Sequence, residues 1–151
     1  MDREAAIWHY CNYQERSHKE VRNKLYEIGC IKSEVEDLIV KLIEADLLNE
    51  ERYARAIARG KFRMKQWGRN KIIQTLKLQG VSSYCITKAL TEIDQVEYAN
   101  VLKKLGEKKW QELRSERSHL NKKGKFIRYL LQKGYETDLI NDFYKEISTS
   151  H

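Results

Sequence analysis

Residues 72–80 read Ile-Ile-Gln-Thr-Leu-Lys-Leu-Gln-Gly, and their spacing decides the fold because it occurs three times. Ile72, Leu76 and Gly80 are matched by Val21, Leu25 and Gly29 in VRNKLYEIG and by Phe126, Leu130 and Gly134 in FIRYLLQKG. Two apolar residues four apart share a helix face. A glycine four residues further on is suited to end that helix, because it enters the left-handed conformation without a side-chain clash. The residues beyond each glycine agree: Val35, Ile86 or Ile140 six positions on, and Ile39, Leu90 or Tyr144 ten positions on, begin a second helical pattern.

Working outward, Val35, Leu38, Ile39, Leu42 and Ile43 fall on one helical face, as do Leu139, Ile140, Phe143, Tyr144 and Ile147. Ser17 with Glu20 and Ser33 with Glu36 have capping-box spacing, and Thr137 is placed to cap the last helix. A further helical stretch precedes each glycine-terminated one, at about residues 4–13, 50–65 and 95–113. With no proline and only seven glycines, nothing else interrupts these patterns. The expectation is an all-α chain of three tandem three-helix repeats, 1–49, 50–93 and 94–151, stacked as an elongated, curved array. Each repeat alone is too small to bury much core.

The net charge of +7 is unevenly placed. Residues 1–49 balance to −3, residues 50–93 to +7 and residues 94–151 to +3, and no Asp or Glu occurs between Arg52 and Thr91. Within ERYARAIARGKFRMK, Arg52, Arg55, Arg59 and Arg63 fall in a sector of roughly 80° at 100° per residue. They form an arginine ridge opposite an apolar underside, with Lys61 pointing toward the apolar half. Lys65, Arg69, Lys71 and Lys77 continue the charge. A second cluster, Lys122, Lys123, Lys125 and Arg128, opens the last glycine-terminated helix, where cations oppose the helix dipole. These twelve residues are the candidate surface for an anionic partner, since guanidinium and ammonium groups recognise phosphates and carboxylates. Trp67 sits among them and is the tryptophan expected to be partly exposed.

Other classes of function find no residues to support them. His9, Cys11 and His18 lack metal-ligand spacing, and neither a phosphate-cradling glycine loop nor a nucleophile elbow occurs. No catalytic site, metal or cofactor is expected. Cys11, Cys30 and Cys85 are odd in number and far apart, which reads as reduced thiols. The charged N-terminus and the absence of any long apolar run argue for a cytoplasmic chain with no membrane partner.

Four stretches resemble the RecX family. Glu15-Arg16-Ser17-His18-Lys19-Glu20-Val21-Arg22-Asn23-Lys24-Leu25 is similar to its early R-x-S-x-x-E-(L/V)-x-x-K-L motif, and Leu47-Leu48-Asn49-Glu50-Glu51-Arg52-Tyr53-Ala54 to its next stretch, with Glu50 where Asp is commoner. The segment from Lys65 to Val81, KQWGRNKIIQTLKLQGV, resembles K-x-x-G-x-x-(R/K)-I-x-x-x-L-x-x-(K/Q)-G-(I/V) and is the most specific of the four. Lys125 to Tyr135, KFIRYLLQKGY, resembles the family's last motif. The resemblance implies a non-enzymatic monomer that lodges in the groove of the RecA recombinase filament. It also implies suppression of ATPase, strand-exchange and co-protease activities, with weak, sequence-indifferent contact to single-stranded or duplex DNA. The alternative is a stand-alone DNA-binding protein with a helix-turn-helix-like unit.

Overall fold

The computed structural model describes residues 2–150, the side chain of residue 150 excepted. These residues form nine helices and no strand: α1 (Arg3–Tyr13), α2 (His18–Glu27), α3 (Lys32–Glu44), α4 (Glu50–Lys65), α5 (Arg69–Leu78), α6 (Ser83–Leu90), α7 (Gln95–Glu112), α8 (His119–Lys133) and α9 (Thr137–Ser150). The three glycines end α2, α5 and α8 in the left-handed conformation, with φ of 99° at Gly29, 74° at Gly80 and 100° at Gly134. Two of the expected helix starts are placed differently. Ser17 does form a reciprocal capping box with Glu20. Ser33, however, lies inside the first turn of α3; Ile31 is the cap, and its N–H donates to the Glu34 carboxylate at 3.0 Å. Thr137 is the first residue of α9 rather than a cap before it.

The chain divides into two compact units, residues 1–58 with 75–92, and residues 59–74 with 93–151. In the first, Ile7, Cys11, Val21, Leu25, Cys30, Val35, Ile39, Leu42 and Leu48 form a core from α1, α2, α3 and the segment before α4. Each buried aliphatic side chain contributes about 1.5–3 kcal/mol through removal from water. Burial also pushes the Cys11 thiol up to about 11 and raises that of Cys85, so both stay protonated and unreactive at neutral pH. The end of α5 meets the start of α2. There the buried Ser17 hydroxyl donates to Gln79 at 2.7 Å, and Lys19 Nζ donates to the Leu78 carbonyl at 2.9 Å. At the start of α6, the Glu50 carboxylate accepts from the Ser82 N–H at 3.2 Å, a favourable charge for a helix N-terminus.

His18 opens α2 with its Nε2 buried and without a hydrogen-bond partner among the described residues. Burial lowers its pKa from 6.5; Glu50 opposes the shift and Arg22 adds to it. The unfolded chain therefore takes up a proton that the folded chain resists. The stability contributed by neutral His18 is full above pH 6.5 and is lost as pH falls toward the lower folded value. Between about pH 7.5 and 5.5 the urea midpoint of the wild type is expected to fall further than that of His18→Leu. Parallel curves for the two proteins would remove His18 as the cause.

The second unit is built on aromatic side chains. Phe62, Tyr98 and Tyr135 stack in sequence with centroids 5.8 and 5.1 Å apart, and Trp110 meets Phe126 edge-on at 5.4 Å. The start of α5 meets the end of α8 by backbone alone. The Gly68 N–H donates to the Lys133 carbonyl at 2.7 Å and the Asn70 N–H to the Gly134 carbonyl at 2.9 Å. A methyl group on Gly68 would stand 2.3 Å from the Gly134 carbonyl carbon, so the two chains approach as closely as two glycines allow. Tyr135 closes the joint, its hydroxyl donating to the Gln66 carbonyl at 2.8 Å.

Candidate interface for an anionic partner

Helix α4 is held by Tyr53, Ala54, Ala58 and Phe62, all buried, which fixes where its cations can point. The first two members of the arginine ridge turn back into the protein. Arg52 pairs with Glu15 at 2.7 Å and with Asp46 at 3.0 Å, and also donates to the Asp46 carbonyl at 2.8 Å. The hydrogen bond to Glu15 is the main reason its pKa is raised. Arg55 pairs with Glu51 at 3.0 Å and Glu92 at 3.6 Å, with Thr91 accepting a further bond at 3.4 Å. Arg59 is half-buried and likewise has a partner within the protein. Arg52 and Arg55 thus tie helices together, supplied with acids from outside the acid-free stretch.

Arg69 is also internal. Its guanidinium pairs with Glu136 at 2.7 Å and lies 3.9 Å above the Tyr98 ring, while its backbone N–H donates to the Tyr98 hydroxyl at 2.9 Å. The Tyr98 hydroxyl in turn donates to Glu136. Burial, reinforced by that bond, drives the Tyr98 pKa far up, so the phenol stays a donor at any working pH. In α8, Lys125 pairs with Glu116 at 2.6 Å and holds that carboxyl below the usual range. Lys122 and Lys123 fold over aromatic rings, 3.8 Å from Trp110 and 5.2 Å from Tyr144. This relieves the conflict of cations near a helix N-terminus, because the ring faces supply negative potential.

One group of predicted cations remains directed to solvent, at the α4–α5 turn of the second unit. Arg63 and Lys65 are exposed at the end of α4, where cations also suit the helix dipole. Gln66 takes a left-handed φ of 58° and turns the chain. Half-buried Trp67 then lies with Lys61 Nζ 5.1 Å and Lys71 Nζ 4.5 Å from its ring centroid. Lys133 joins them by donating to the Lys65 carbonyl at 3.1 Å. None of these five cations has an acidic partner among the described residues. Sequence reasoning set Lys61 on the apolar half of its helix and did not select Lys133. The signal that was available for Lys61 is the tryptophan six residues on, one ring able to hold two ammonium groups. Lys77 and Arg128 are exposed elsewhere.

An array of ammonium and guanidinium groups around an aromatic face has the chemistry to recognise phosphates or carboxylates. No cluster of His, Cys, Asp or Glu suited to a metal occurs among the described residues. No helix among them is long and apolar enough to cross a membrane.

Comparison with known proteins agrees with this architecture. Residues 49–90 match the family model of the second three-helix domain of RecX, and residues 96–144 that of the third. Regulatory protein RecX of Clostridium perfringens (strain 13 / Type A) is 35% identical over 136 residues, covering 89% of this chain and 63% of the relative. The chain thus spans somewhat less than two thirds of the length of that clostridial relative. Regulatory protein RecX of Pelodictyon phaeoclathratiforme is 32% identical over 123 residues, 80% of this chain and 74% of that one. The crystal structure of RecX from Lactobacillus salivarius superposes with a TM-score of 0.84 at 28% identity, covering 97% of this chain and 95% of that one. From the two domain matches, the identities and the shared fold, the chain belongs to the RecX family.

Proposed function

We propose that this chain regulates a RecA recombinase in the cytoplasm, binding the recombinase filament and lowering its ATPase, strand-exchange and co-protease activities. The observation that carries the reading is the cluster of five cations around Trp67, four of them from residues 61–71 and the fifth Lys133, on a protein whose other arginines largely serve internal ion pairs. Its relatives' name, regulatory protein, supports a part played by contact rather than by catalysis. Acidic side chains of the recombinase and phosphates of its DNA present the groups that such a cluster recognises.

The test is the single-strand-DNA-dependent ATPase rate of purified RecA while the protein is added. The rate is expected to fall at amounts well below one per recombinase monomer. An unchanged rate with both proteins folded would overturn the reading. The alternative, a stand-alone helix-turn-helix reader, needs an exposed recognition helix. In α5, Arg69 is locked to Glu136, which leaves Asn70, Gln74, Lys77 and Leu78 on the exposed face. Tight, sequence-selective binding to duplex DNA would favour that alternative. Weak binding that collapses with salt, by a slope of about −0.9 per phosphate contact, agrees with the regulator.

A further inference from the structure

Helix α8 carries two apolar faces, and only one of them is used. Phe126 and Leu130 are fully buried in the second unit. Leu120, Gly124, Ile127 and Leu131 recur at intervals of four, three and four residues, which places them on one stripe roughly 100° around the helix from the buried pair. That stripe faces solvent: Leu120 is 80% exposed and Leu131 44%, and Ile127 is partly exposed. Gly124 leaves a gap at its centre, where a methyl group would meet nothing nearer than the Arg128 guanidinium at 3.7 Å. The result is a groove of about 390 Å³ lined by Leu120, Lys123, Gly124, Ile127, Arg128 and Leu131.

The charge around the groove is of one sign. No Asp or Glu occurs in α8, whose cations are Lys122, Lys123, Lys125, Arg128 and Lys133. Lys125 is neutralised by Glu116, Lys122 is folded over Trp110, and Lys133 reaches the Lys65 carbonyl. Exposed Arg128 and exposed Lys123, the latter with its Nζ 5.2 Å from the Tyr144 ring centroid, border the stripe, one on each side. Apolar residues at alternating four- and three-residue steps, bordered by charge, are what one helix presents to another in a packed pair, and a small residue in the seam lets the two backbones approach.

We propose that this face of α8 is the docking seam for an acidic amphipathic helix of a partner protein, with its apolar residues in the groove and its carboxylates against Lys123 and Arg128. A second copy of this chain is disfavoured, since α8 against α8 would set cation against cation with no acid in either helix. A bilayer is disfavoured because the face is concave at Gly124 and carries no aromatic residue in the stripe, whereas helices that lie in a membrane surface present a convex apolar wedge. A phosphate backbone would make no use of three exposed aliphatic side chains. The seam is independent of the cations around Trp67, and the inference does not require the recombinase to be the partner.

The probe is a fluorescein-labelled synthetic peptide with leucines at alternating three- and four-residue steps and glutamates between them. It is compared with a peptide of the same composition shuffled so that the leucines share no face. The amphipathic peptide is expected to bind the full chain about tenfold tighter than the shuffled one, read by anisotropy. Leu120→Glu with Leu131→Glu is expected to lose about tenfold in affinity, with helicity and melting temperature unchanged because both side chains are exposed. Gly124→Leu, which fills the groove while adding apolar surface, is expected to weaken binding as well. Equal binding of the two peptides would reduce the face to non-specific charge and overturn the proposal, as would tighter binding by Gly124→Leu. Two further results would also overturn it by naming another occupant. One is binding to phosphatidylglycerol vesicles that the double variant abolishes while the peptides do not bind. The other is a dimer in sedimentation that the double variant dissolves.

Discussion

Replacing Gly68 by alanine is expected to cost about 3 kcal/mol of stability or more, a larger effect than alanine has at most surface positions. The added methyl would lie 2.3 Å from the Gly134 carbonyl carbon, 2.4 Å from its oxygen and 2.5 Å from the Tyr135 nitrogen. All three are backbone atoms, so no side chain can swing aside. The end of α8 and the start of α5 must separate, and the bonds from Gly68 to Lys133 and from Asn70 to Gly134 lengthen or break. Overpacking costs about 1–3 kcal/mol and each lost hydrogen bond about 1 kcal/mol. For a chain of this size that corresponds to a fall in Tm of roughly 6–12 °C, measured by circular dichroism. Gly60→Ala is the control. It lies inside α4, an added methyl meets nothing within 4 Å, and a gain of about 0.5–1 kcal/mol is expected. Equal melting temperatures for Gly68→Ala and wild type would mean that the joint is not closed in solution.

Under the proposed function, reversing charge at Arg63 and Lys65 together is expected to raise the concentration needed for half-inhibition of the recombinase ATPase by roughly 30-fold or more, about 2 kcal/mol of lost binding. Both side chains are exposed and make no ion pair among the described residues, so stability should change by no more than about 0.5 kcal/mol. Arg55→Glu separates a binding role from a structural one. It would set a third carboxylate beside Glu51 and Glu92, so Tm should fall before potency does. Full potency in the Arg63→Glu, Lys65→Glu protein would make the cluster a solvated helix end and return attention to Lys77 and Arg128.

These two experiments fall on either side of what the sequence could reveal. The fold was legible because its signals are local: a glycine needed at positive φ, leucines one turn apart, a capping box at Ser17. The bounds of α4 agree with the sequence reading, and α7 stops one residue short of the expected end. Ser33 was misread because Glu34, two residues earlier than the expected Glu36, reaches the free amide first. The ion pairs of the arginine ridge were not legible for a different reason. An acid-free stretch predicts exposed cations only if their partners must be near in sequence. Here Glu15, which pairs with Arg52 alongside the nearer Asp46, lies 37 residues away, and Glu136, the partner of Arg69, lies 67 away. The stripe on α8 was hidden in a third way. Phe126 and Ile127 are neighbours in sequence, as are Leu130 and Leu131, and periodicity cannot tell which of two adjacent apolar faces turns inward.

The joint at Gly68 also sets a clock. Tyr135, whose hydroxyl seals the turn at Gln66, lies 69 residues further along the chain. At a synthesis rate of about 5–20 residues per second, the start of α5 leaves the ribosome roughly 3–14 s before the residues that satisfy it have been made. Helices α2 and α3 complete their contacts promptly, whereas the amides of Gly68 and Asn70 wait in water for a stretch of backbone that does not yet exist. The second unit therefore cannot close until residues 133–135 have been made, and a ribosome stalled before them would present its unfinished edge to the cell.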